Sequence, residues 1–201
     1  MDTKKTGNKG NNPKKGSQIR VEPIRSKAAI KRIKLMLANS PLYSAVFCLG
    51  INTAFRASDL LSIKVHQVQN LEAGGMLAVK EKKTGKIRRV AVNQTCVDAI
   101  HRLLDSRAYN DDDCIFMGQR GVLTVSSLGS LVKKWCQEAG LNDGNYSSHT
   151  LRKTWGYAQR VWFNASLPIL VEAFNHSSQK QTLAYLGIQE EEIMDLYANE
   201  L

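Results

Sequence analysis

The segment from Ser40 to Ile51 constrains the fold most, because it is predicted to be a helix that is apolar nearly all round. A serine followed by a proline is typical of a helix start, where the serine caps the helix and the proline takes its first position. The apolar positions beyond this start are Val46, Phe47, Leu49 and Ile51. A helix that is apolar on every side must be covered on every side. We therefore expect it at the centre of the domain.

An arginine follows this central helix directly. Arg56 comes a few residues after the apolar segment, and Asp59 stands three positions further on. A charge beside the core is costly unless it is paired, and a guanidinium binds a carboxylate or a phosphate through two parallel hydrogen bonds. Two interpretations are open: a structural pair of Arg56 with Asp59, or a phosphate-binding arginine that Asp59 orients.

The remaining patterns predict an α+β fold that is mainly helical. Residues 64–92 have the pattern of strands, and residues 76–79 and 87–92 are expected to pair as an antiparallel β-hairpin around a lysine-rich turn. The other helical patterns begin at Ser26 and Pro168, run from Ser177 or Ser178 to Gly187, and cover residues 94–107, 126–140, 148–162 and 188–201.

Two histidines, an arginine and a tyrosine form a second polar set. His149 and Arg152 stand three residues apart on a predicted helix and therefore share a face. His176 and Tyr185 follow on the next helices. A cation beside an imidazole makes a poor core but a good phosphate site, and a tyrosine hydroxyl can attack a phosphate whose charge is neutralised. The set therefore points to phosphoryl transfer through a tyrosine.

The net charge of +10 lies almost entirely at the N-terminus, because residues 1–34 carry eleven lysines and arginines against two acidic residues. Residues 1–20 have no hydrophobic periodicity and are predicted to be a disordered basic arm that binds nucleic acid. A tail that only aids solubility is the alternative. On the first helix, Lys27 and Lys31 are placed to follow a phosphate backbone.

Other residue types exclude several classes of function. The four cysteines are scattered without paired spacing, so no zinc site is predicted. The acidic run at residues 111–113 lacks the alternating ligand spacing of a calcium loop. No apolar run is long enough to span a membrane, and the N-terminus lacks the apolar region of a secretory signal. We therefore expect a cytoplasmic protein that uses no metal and no membrane.

In their order and spacing, these residues resemble the catalytic domain of the tyrosine recombinases, also called phage integrases. The matching residues are Arg56 within residues 53–60, Lys83 before Thr84 and Gly85, His149 and Arg152 as a His-x-x-Arg box, His176, and Tyr185 as the nucleophile. The resemblance covers most of residues 24–201. It implies a recombinase catalytic domain over residues 21–201, with no separate core-binding domain ahead of it.

The resemblance also implies a mechanism. Tyr185 would cut double-stranded DNA and hold the strand as a 3′-phosphotyrosine, with no metal and no cofactor. Arg56, Arg152 and His176 would bind the non-bridging phosphate oxygens. Lys83 would protonate the leaving 5′ oxygen, His149 would act as the general base, and Asp59 would orient Arg56 or His149. Further DNA contacts are expected from Lys27, Lys31, Lys82, Lys86, Arg88 and Lys153.

The sequence departs from the family pattern in two ways, and the second bears on the partners of the protein. Phe174 and Asn175 stand where the family usually has Leu-Gly, which should change a helix cap. Three explanations of the missing core-binding domain are open: the basic arm and neighbouring subunits complete the clamp on DNA, an accessory protein completes it, or the chain is a fragment or remnant. We expect a tetramer on DNA, with residues 188–201 docking on their own or a neighbouring subunit. A topoisomerase of the same chemistry and a non-catalytic DNA-binding remnant of an integrase are the alternatives.

Overall fold

The computed structural model describes residues 20–187 together with Tyr197. The α-helices are α1 (Lys27–Met36), α2 (Pro41–Asn52), α3 (Ala57–Leu60), α4 (Gln94–Leu104), α5 (Val125–Glu138), α6 (Ser148–Tyr157), α7 (Leu167–Phe174) and α8 (Gln179–Leu186). A π-helical turn (Ala158–Trp162) continues α6. The strands are β1 (Met76–Lys80), β2 (Ile87–Ala91), β3 (Met117–Gly118) and β4 (Gly121–Val122).

Helix α2 lies at the centre, as its apolar pattern predicts. Its residues 45–50 are all buried, and α4, α6, α1 and α3 pack around it. Strands β1 and β2 form an antiparallel hairpin in which Leu77 faces Val90 across the pair. The predicted mainly helical α+β fold with one small antiparallel sheet is therefore confirmed, and β3 and β4 add a second short pair.

Two predicted boundaries are wrong for identifiable reasons. The strand pattern at residues 64–75 contains instead a 3-10 turn (Val65–Gln67), because the Gln67 side chain accepts from the Lys64 N–H at 2.8 Å and caps the turn. Helix α5 begins earlier than the serine pair suggests. Its cap is Thr124, whose hydroxyl accepts from the Ser127 N–H while the Ser127 hydroxyl accepts from the Thr124 N–H, so the serine completes a capping box.

Both ends of the chain bear on the sequence predictions. Nearly all of the predicted basic arm and of the predicted helix over residues 188–201 lies outside the described residues. Tyr197 is described in helical conformation with 82% of its surface exposed. Among the described residues, none of the helices has the length and hydropathy of a membrane span.

A small second cluster of buried side chains seats α7 and α8. It consists of Ala54, Tyr157, Leu170, Phe174 and Leu186 and is separate from the main core around α2. Helix α6 can approach these side chains closely because position 156 is a glycine, and the side chains of Leu186 and Phe174 pack directly against its backbone.

Replacing Gly156 by alanine is expected to loosen α8 from α6. The added methyl would lie 2.5 Å from Leu186 and 2.5 Å from Phe174, and Phe174 is fully buried. Such overpacking should lower the free energy of unfolding by about 1–3 kcal/mol, measured by urea denaturation. Gly129→Ala in α5 is the control, since its methyl would meet nothing closer than 3.6 Å. Equal stability of the two variants would contradict the prediction.

Candidate active site

All six residues predicted to be catalytic line one cavity of about 250 Å³. They reach it from separate elements: the N-terminal end of α3, the β1–β2 turn, α6, the α7–α8 connection and α8. The lining residues are Arg56, Lys83, His149, Arg152, Asn175, His176, Gln181 and Tyr185. The fold therefore brings together side chains that are far apart in the sequence.

Arg152 supplies a buried positive charge to this cavity. The residue is 3% exposed, and its guanidinium donates to the carbonyl oxygens of Ala54 and Phe174, the latter at 2.9 Å. Among the described residues, it has no carboxylate within ion-pair distance. Burial lowers its pKa to about 10, so it stays protonated at neutral pH. Its carbonyl partners orient the guanidinium without neutralising it, which suits the site to an anion.

Arg56 is held by a carboxylate that the sequence analysis missed. Its Nη1 lies 2.7 Å from Oε1 of Glu81 but 3.9 Å from Oδ2 of Asp59. Asp59 is thus the more distant of two carboxylates at Arg56, and its role in orienting Arg56 or His149 stays a prediction. Asp59 accepts from the backbone N–H of Lys82 at 2.9 Å and holds the β1–β2 turn. The sequence signal for Glu81 was only its place directly after a strand.

Glu81 connects the arginines to the turn that carries Lys83. It is 3% exposed, and it accepts a hydrogen bond from the Thr84 hydroxyl at 2.7 Å, while Arg88 Nη1 lies 3.7 Å away. Burial alone would raise the pKa of Glu81, but Thr84, Arg56 and Arg88 outweigh it, so that its pKa lies below the ordinary value. An ionised Glu81 thus fixes both Arg56 and the lysine-bearing turn.

Replacing Glu81 by glutamine is expected to lower the free energy of unfolding by about 3 kcal/mol at neutral pH, because it leaves buried guanidinium charge without its counter-ion. The folded-state pKa of Glu81 is depressed, so this stabilisation is present above the ordinary glutamate pKa and is lost as pH falls through the folded value. The two proteins should therefore converge in stability in acid, as measured by urea denaturation against pH.

The control for this experiment is Glu138→Gln. Glu138 pairs with Lys134 at 3.7 Å, and both side chains are largely exposed. An exposed ion pair of this kind contributes little to stability. A loss in Glu81→Gln that is no larger than the loss in Glu138→Gln would contradict the role assigned to Glu81.

The hydroxyl of Tyr185 is buried at the cavity and has no hydrogen-bond partner among the described residues. Its ring makes edge contacts with Phe174 at 5.3 Å and with His176 at 5.2 Å between ring centres. Burial raises the pKa of the phenol, and Arg152 opposes that rise through its charge and through its N–H donors near the hydroxyl, as does the charge of Arg56. Most buried hydroxyls are satisfied, so an unpartnered one facing a cavity is suited to a group that the cavity receives.

Both histidines at the cavity are neutral at neutral pH. His149 is exposed on the first turn of α6, and its pKa is lowered by partial desolvation and by the charges of Arg152, Lys153 and Arg56. His176 lies with Nδ1 3.0 Å from the Thr182 hydroxyl. Its pKa is lowered to about 4, first by burial and then by neighbouring positive charges. Each imidazole can therefore accept a proton or a hydrogen bond.

Four of the six lysines and arginines predicted to contact DNA are exposed, and two are not. The exposed four are Lys27, Lys31, Lys82 and Lys86. Arg88 donates to the Ala173 carbonyl at 2.6 Å and has a mostly buried side chain. Lys153 is 6% exposed and lies over the Tyr185 ring. Both side chains turn inward, and phosphate contact by Arg88 and Lys153 stays a prediction.

Asn175 occupies the helix-end position where a glycine is usual in the pattern given above. It caps α7 in the left-handed conformation, with φ of 53°, which asparagine tolerates better than most residues. The departure therefore does fall on a helix cap, as predicted. Within the described part of the chain, no group of three His, Cys, Asp or Glu side chains could hold a metal ion.

Comparison with known proteins finds integrases and recombinases. The model of the phage integrase family matches residues 22–192. The probable integrase/recombinase YoeC of Bacillus subtilis (strain 168) is 31% identical over 85% of this chain and 92% of its own length. Tyrosine recombinase XerC of Caldanaerobacter subterraneus subsp. tengcongensis is 26% identical over 75% of this chain, but this covers only 42% of XerC.

Solved structures show the same fold. The crystal structure of XerA recombinase matches 92% of this chain with a TM-score of 0.73 and 21% identity, and 66% of the XerA chain is covered. The XerH recombinase bound to a palindromic difH substrate matches 89% of this chain with a TM-score of 0.67 and 19% identity. This chain spans 52% of that XerH chain.

Proposed function

The chain belongs to the phage integrase family, the tyrosine recombinases, and from this we propose that it is a site-specific DNA recombinase that acts through Tyr185. The single observation that carries the proposal is the unpartnered Tyr185 hydroxyl in a cavity that also receives Arg56 and the buried, unpaired charge of Arg152. A nucleophile beside an excess of positive charge fits a phosphodiester.

The charges at the cavity support this substrate. Arg56, Arg88 and Arg152 are the arginines of the network, and Glu81 and Asp59 are its buried carboxylates. The cations that line the cavity itself are Arg56, Lys83 and Arg152, and no carboxylate is among its described lining residues. The cavity is therefore positively charged, and a DNA phosphodiester carries the opposite charge.

The proposed cleavage step exchanges one phosphate ester for another. The Tyr185 oxygen forms a bond to phosphorus, and the bond to the 5′ oxygen of the next nucleotide breaks, which leaves a 3′-phosphotyrosine and a free 5′-hydroxyl. Arg152 and Arg56 stabilise the charge that gathers on the non-bridging oxygens, and His176 donates to one of them. No net energy source is needed because the number of phosphoester bonds is unchanged.

Two protons move in this step. His149 is neutral and solvent-accessible, so it can take the proton of Tyr185 as a general base. Lys83 lies on the exposed turn that Glu81 and Asp59 anchor, and it delivers a proton to the leaving 5′ oxygen. Religation reverses both transfers, and attack by the 5′-hydroxyl of another strand gives recombination.

Double-stranded DNA is the proposed partner. The matched structures of XerH are described with difH substrate, and those of the Tn1549 transposon integrase with circular intermediate DNA. The exposed lysines Lys27, Lys31, Lys82 and Lys86 offer charge for the phosphate backbone. This chain spans only part of the XerC and XerH relatives. We also propose assembly as a multimer on DNA, with an accessory or core-binding protein as a further partner.

Covalent trapping tests the proposal. The protein is incubated with a library of nicked duplexes of random central sequence, so that the cut strand loses its short 5′-hydroxyl fragment and religation stops. We expect a covalent complex on a denaturing gel, which protease removes, and a nucleotide adduct on the peptide that contains Tyr185. Bound duplexes that yield no covalent complex would contradict the proposal. Strand exchange between two recovered duplexes then distinguishes recombination from simple relaxation.

A further inference from the structure

Lys153 is a buried cation that no step of the proposed reaction uses. It follows Arg152 on α6, and its ammonium lies 4.8 Å from the centre of the Tyr185 ring, a distance at which a cation is attracted to an aromatic face. Within the described part of the chain, no carboxylate lies within ion-pair distance of this ammonium. The Tyr185 ring is a contact that stabilises this charge.

The segment ahead of α1 reaches the C-terminal end of the helix that carries Tyr185. Arg25 donates from Nη2 to the carbonyl of Gly187, the residue that ends α8, at 3.3 Å. Ile24 anchors this segment, because it is fully buried and its N–H donates to the Thr154 hydroxyl at 2.8 Å. The last carbonyls of a helix lack partners within it, and a positive side chain there is favourable.

These polar contacts matter for the orientation of α8 because few of its side chains are buried against the rest of the fold. Only Thr182 and Leu186 of its residues are buried, and Leu186 belongs to the small second cluster. A helix of eight residues is not stable alone, so contacts with the rest of the fold set its orientation. Contacts at the Tyr185 ring and at Gly187 both hold its C-terminal turn.

We propose that Lys153 and Arg25 are positioning residues for Tyr185, with Lys153 holding the face of its ring and Arg25 holding the end of α8. The inference rests on the proposed function insofar as Tyr185 is the nucleophile. Neither side chain contacts the phosphate. Lys153 limits the rotation of the ring and Arg25 limits the movement of α8, so that the hydroxyl stays at the cavity where Arg152 and Arg56 converge.

The contact with the ring depends on the charge of Lys153. Burial lowers the pKa of Lys153 to about 8, with Arg20 and Arg25 acting in the same direction and Glu22 against them. His149 on the same helix and Tyr185 on α8 also face this charge. Only the ammonium is attracted to the ring, so the contact is present below pH about 8 and is lost as pH rises through that value.

Two variants and two measurements test the inference. Lys153→Met keeps the length of the side chain and removes its charge, and Arg25→Gln removes the charge at Gly187 from a partly exposed position. Single-turnover cleavage is measured on both sides of pH 8, and hydrogen exchange of residues 179–187 is measured in the free protein. Lys134→Met, an exposed lysine on α5, is the control.

For Lys153→Met we expect cleavage about tenfold slower at neutral pH, no further fall above pH 8, unchanged DNA affinity and faster exchange in α8. Arg25→Gln should also show faster hydrogen exchange in α8. If Lys153→Met does not fold, the result for Arg25→Gln decides whether the inference holds. Wild-type rates and exchange in both variants would overturn the inference. Weaker DNA binding with a smaller salt slope in Lys153→Met would also overturn it, by making Lys153 a phosphate contact.

The exchange measurement separates this inference from the proposed function. If the wild-type protein forms no covalent complex with DNA, the proposed function fails. The hydrogen exchange of residues 179–187 then tests by itself whether Lys153 and Arg25 position α8. Faster exchange in both variants would then still support the positioning of α8, whereas unchanged exchange would overturn it.

Discussion

The Tyr185→Phe variant is expected to bind DNA with wild-type affinity and to form no covalent complex. The substitution removes only the hydroxyl, whose oxygen is the proposed attacking atom, and leaves the ring contacts with Phe174 and His176 in place. Loss of the nucleophile should lower strand cleavage below detection. Trapping on nicked duplexes measures cleavage, and fluorescence anisotropy with labelled duplex measures affinity.

The same substitution should raise stability. The Tyr185 hydroxyl is buried and has no partner among the described residues, and an unsatisfied buried polar group costs about 1–3 kcal/mol. Its removal is therefore expected to increase the free energy of unfolding by about 1 kcal/mol, as seen by urea denaturation. A protein that becomes more stable while it loses activity is typical of a site kept for function rather than for folding.

Tyr197→Phe is the control for Tyr185→Phe. Tyr197 is the next tyrosine after Tyr185 and is exposed, so it is the nearest rival for the role of nucleophile. We expect Tyr197→Phe to form the covalent complex like the wild type. A covalent complex that survives in Tyr185→Phe and disappears in Tyr197→Phe would reverse the assignment.

Local sequence patterns predicted the fold well where one physical effect dominates. The apolar helix α2, the Ser178 cap and the Gly187 end of α8 are confirmed, because capping and burial act over a few neighbouring residues. The family resemblance is confirmed by the match of residues 22–192. Local pattern was insufficient at residues 64–75, where the apolar spacing suits a strand but the Gln67 side chain caps a turn instead.

The cavity itself was predicted, but its charge network was not. The resemblance named six residues that do line one cavity. It could not reveal that Glu81 lies closer to Arg56 than Asp59 does. That contact depends on how the β1–β2 hairpin packs beside α3. Nor could charge alone show that Arg88 and Lys153 turn inward. Lysine and arginine are usually exposed, and only the packing of α6 against α8 reverses this for Lys153.

Arg152→Ala is expected to cleave DNA more slowly than the wild type by a factor of about 10²–10³, since removal of one group that stabilises the transition-state charge has an effect of that size. Arg152 offers its remaining donors to the cavity while the carbonyls of Ala54 and Phe174 hold its guanidinium in place. Arg152→Lys should also be slow, because an ammonium cannot bind two phosphate oxygens in parallel. Single-turnover cleavage with saturating protein measures the effect.

A loss of structure would also slow cleavage, and chemical rescue separates the two causes. In Arg152→Ala the two carbonyls lose their donor, which should lower the free energy of unfolding by about 1–3 kcal/mol. Free guanidinium ion, at concentrations too low to denature the protein, is expected to enter the vacated space and to restore part of the cleavage rate. Ammonium ion should restore less, because it lacks the planar pair of donors.

The control for rescue is Arg32→Ala. Arg32 also donates to a helix-end carbonyl, that of Ala139 at 2.7 Å, but it lies on α1 and does not line the cavity. We expect Arg32→Ala to cleave at the wild-type rate and to show no response to guanidinium. Rescue confined to Arg152→Ala would mean that the guanidinium acts on the phosphate itself. Cleavage at the wild-type rate by a folded Arg152→Ala protein would contradict the role proposed for the buried charge.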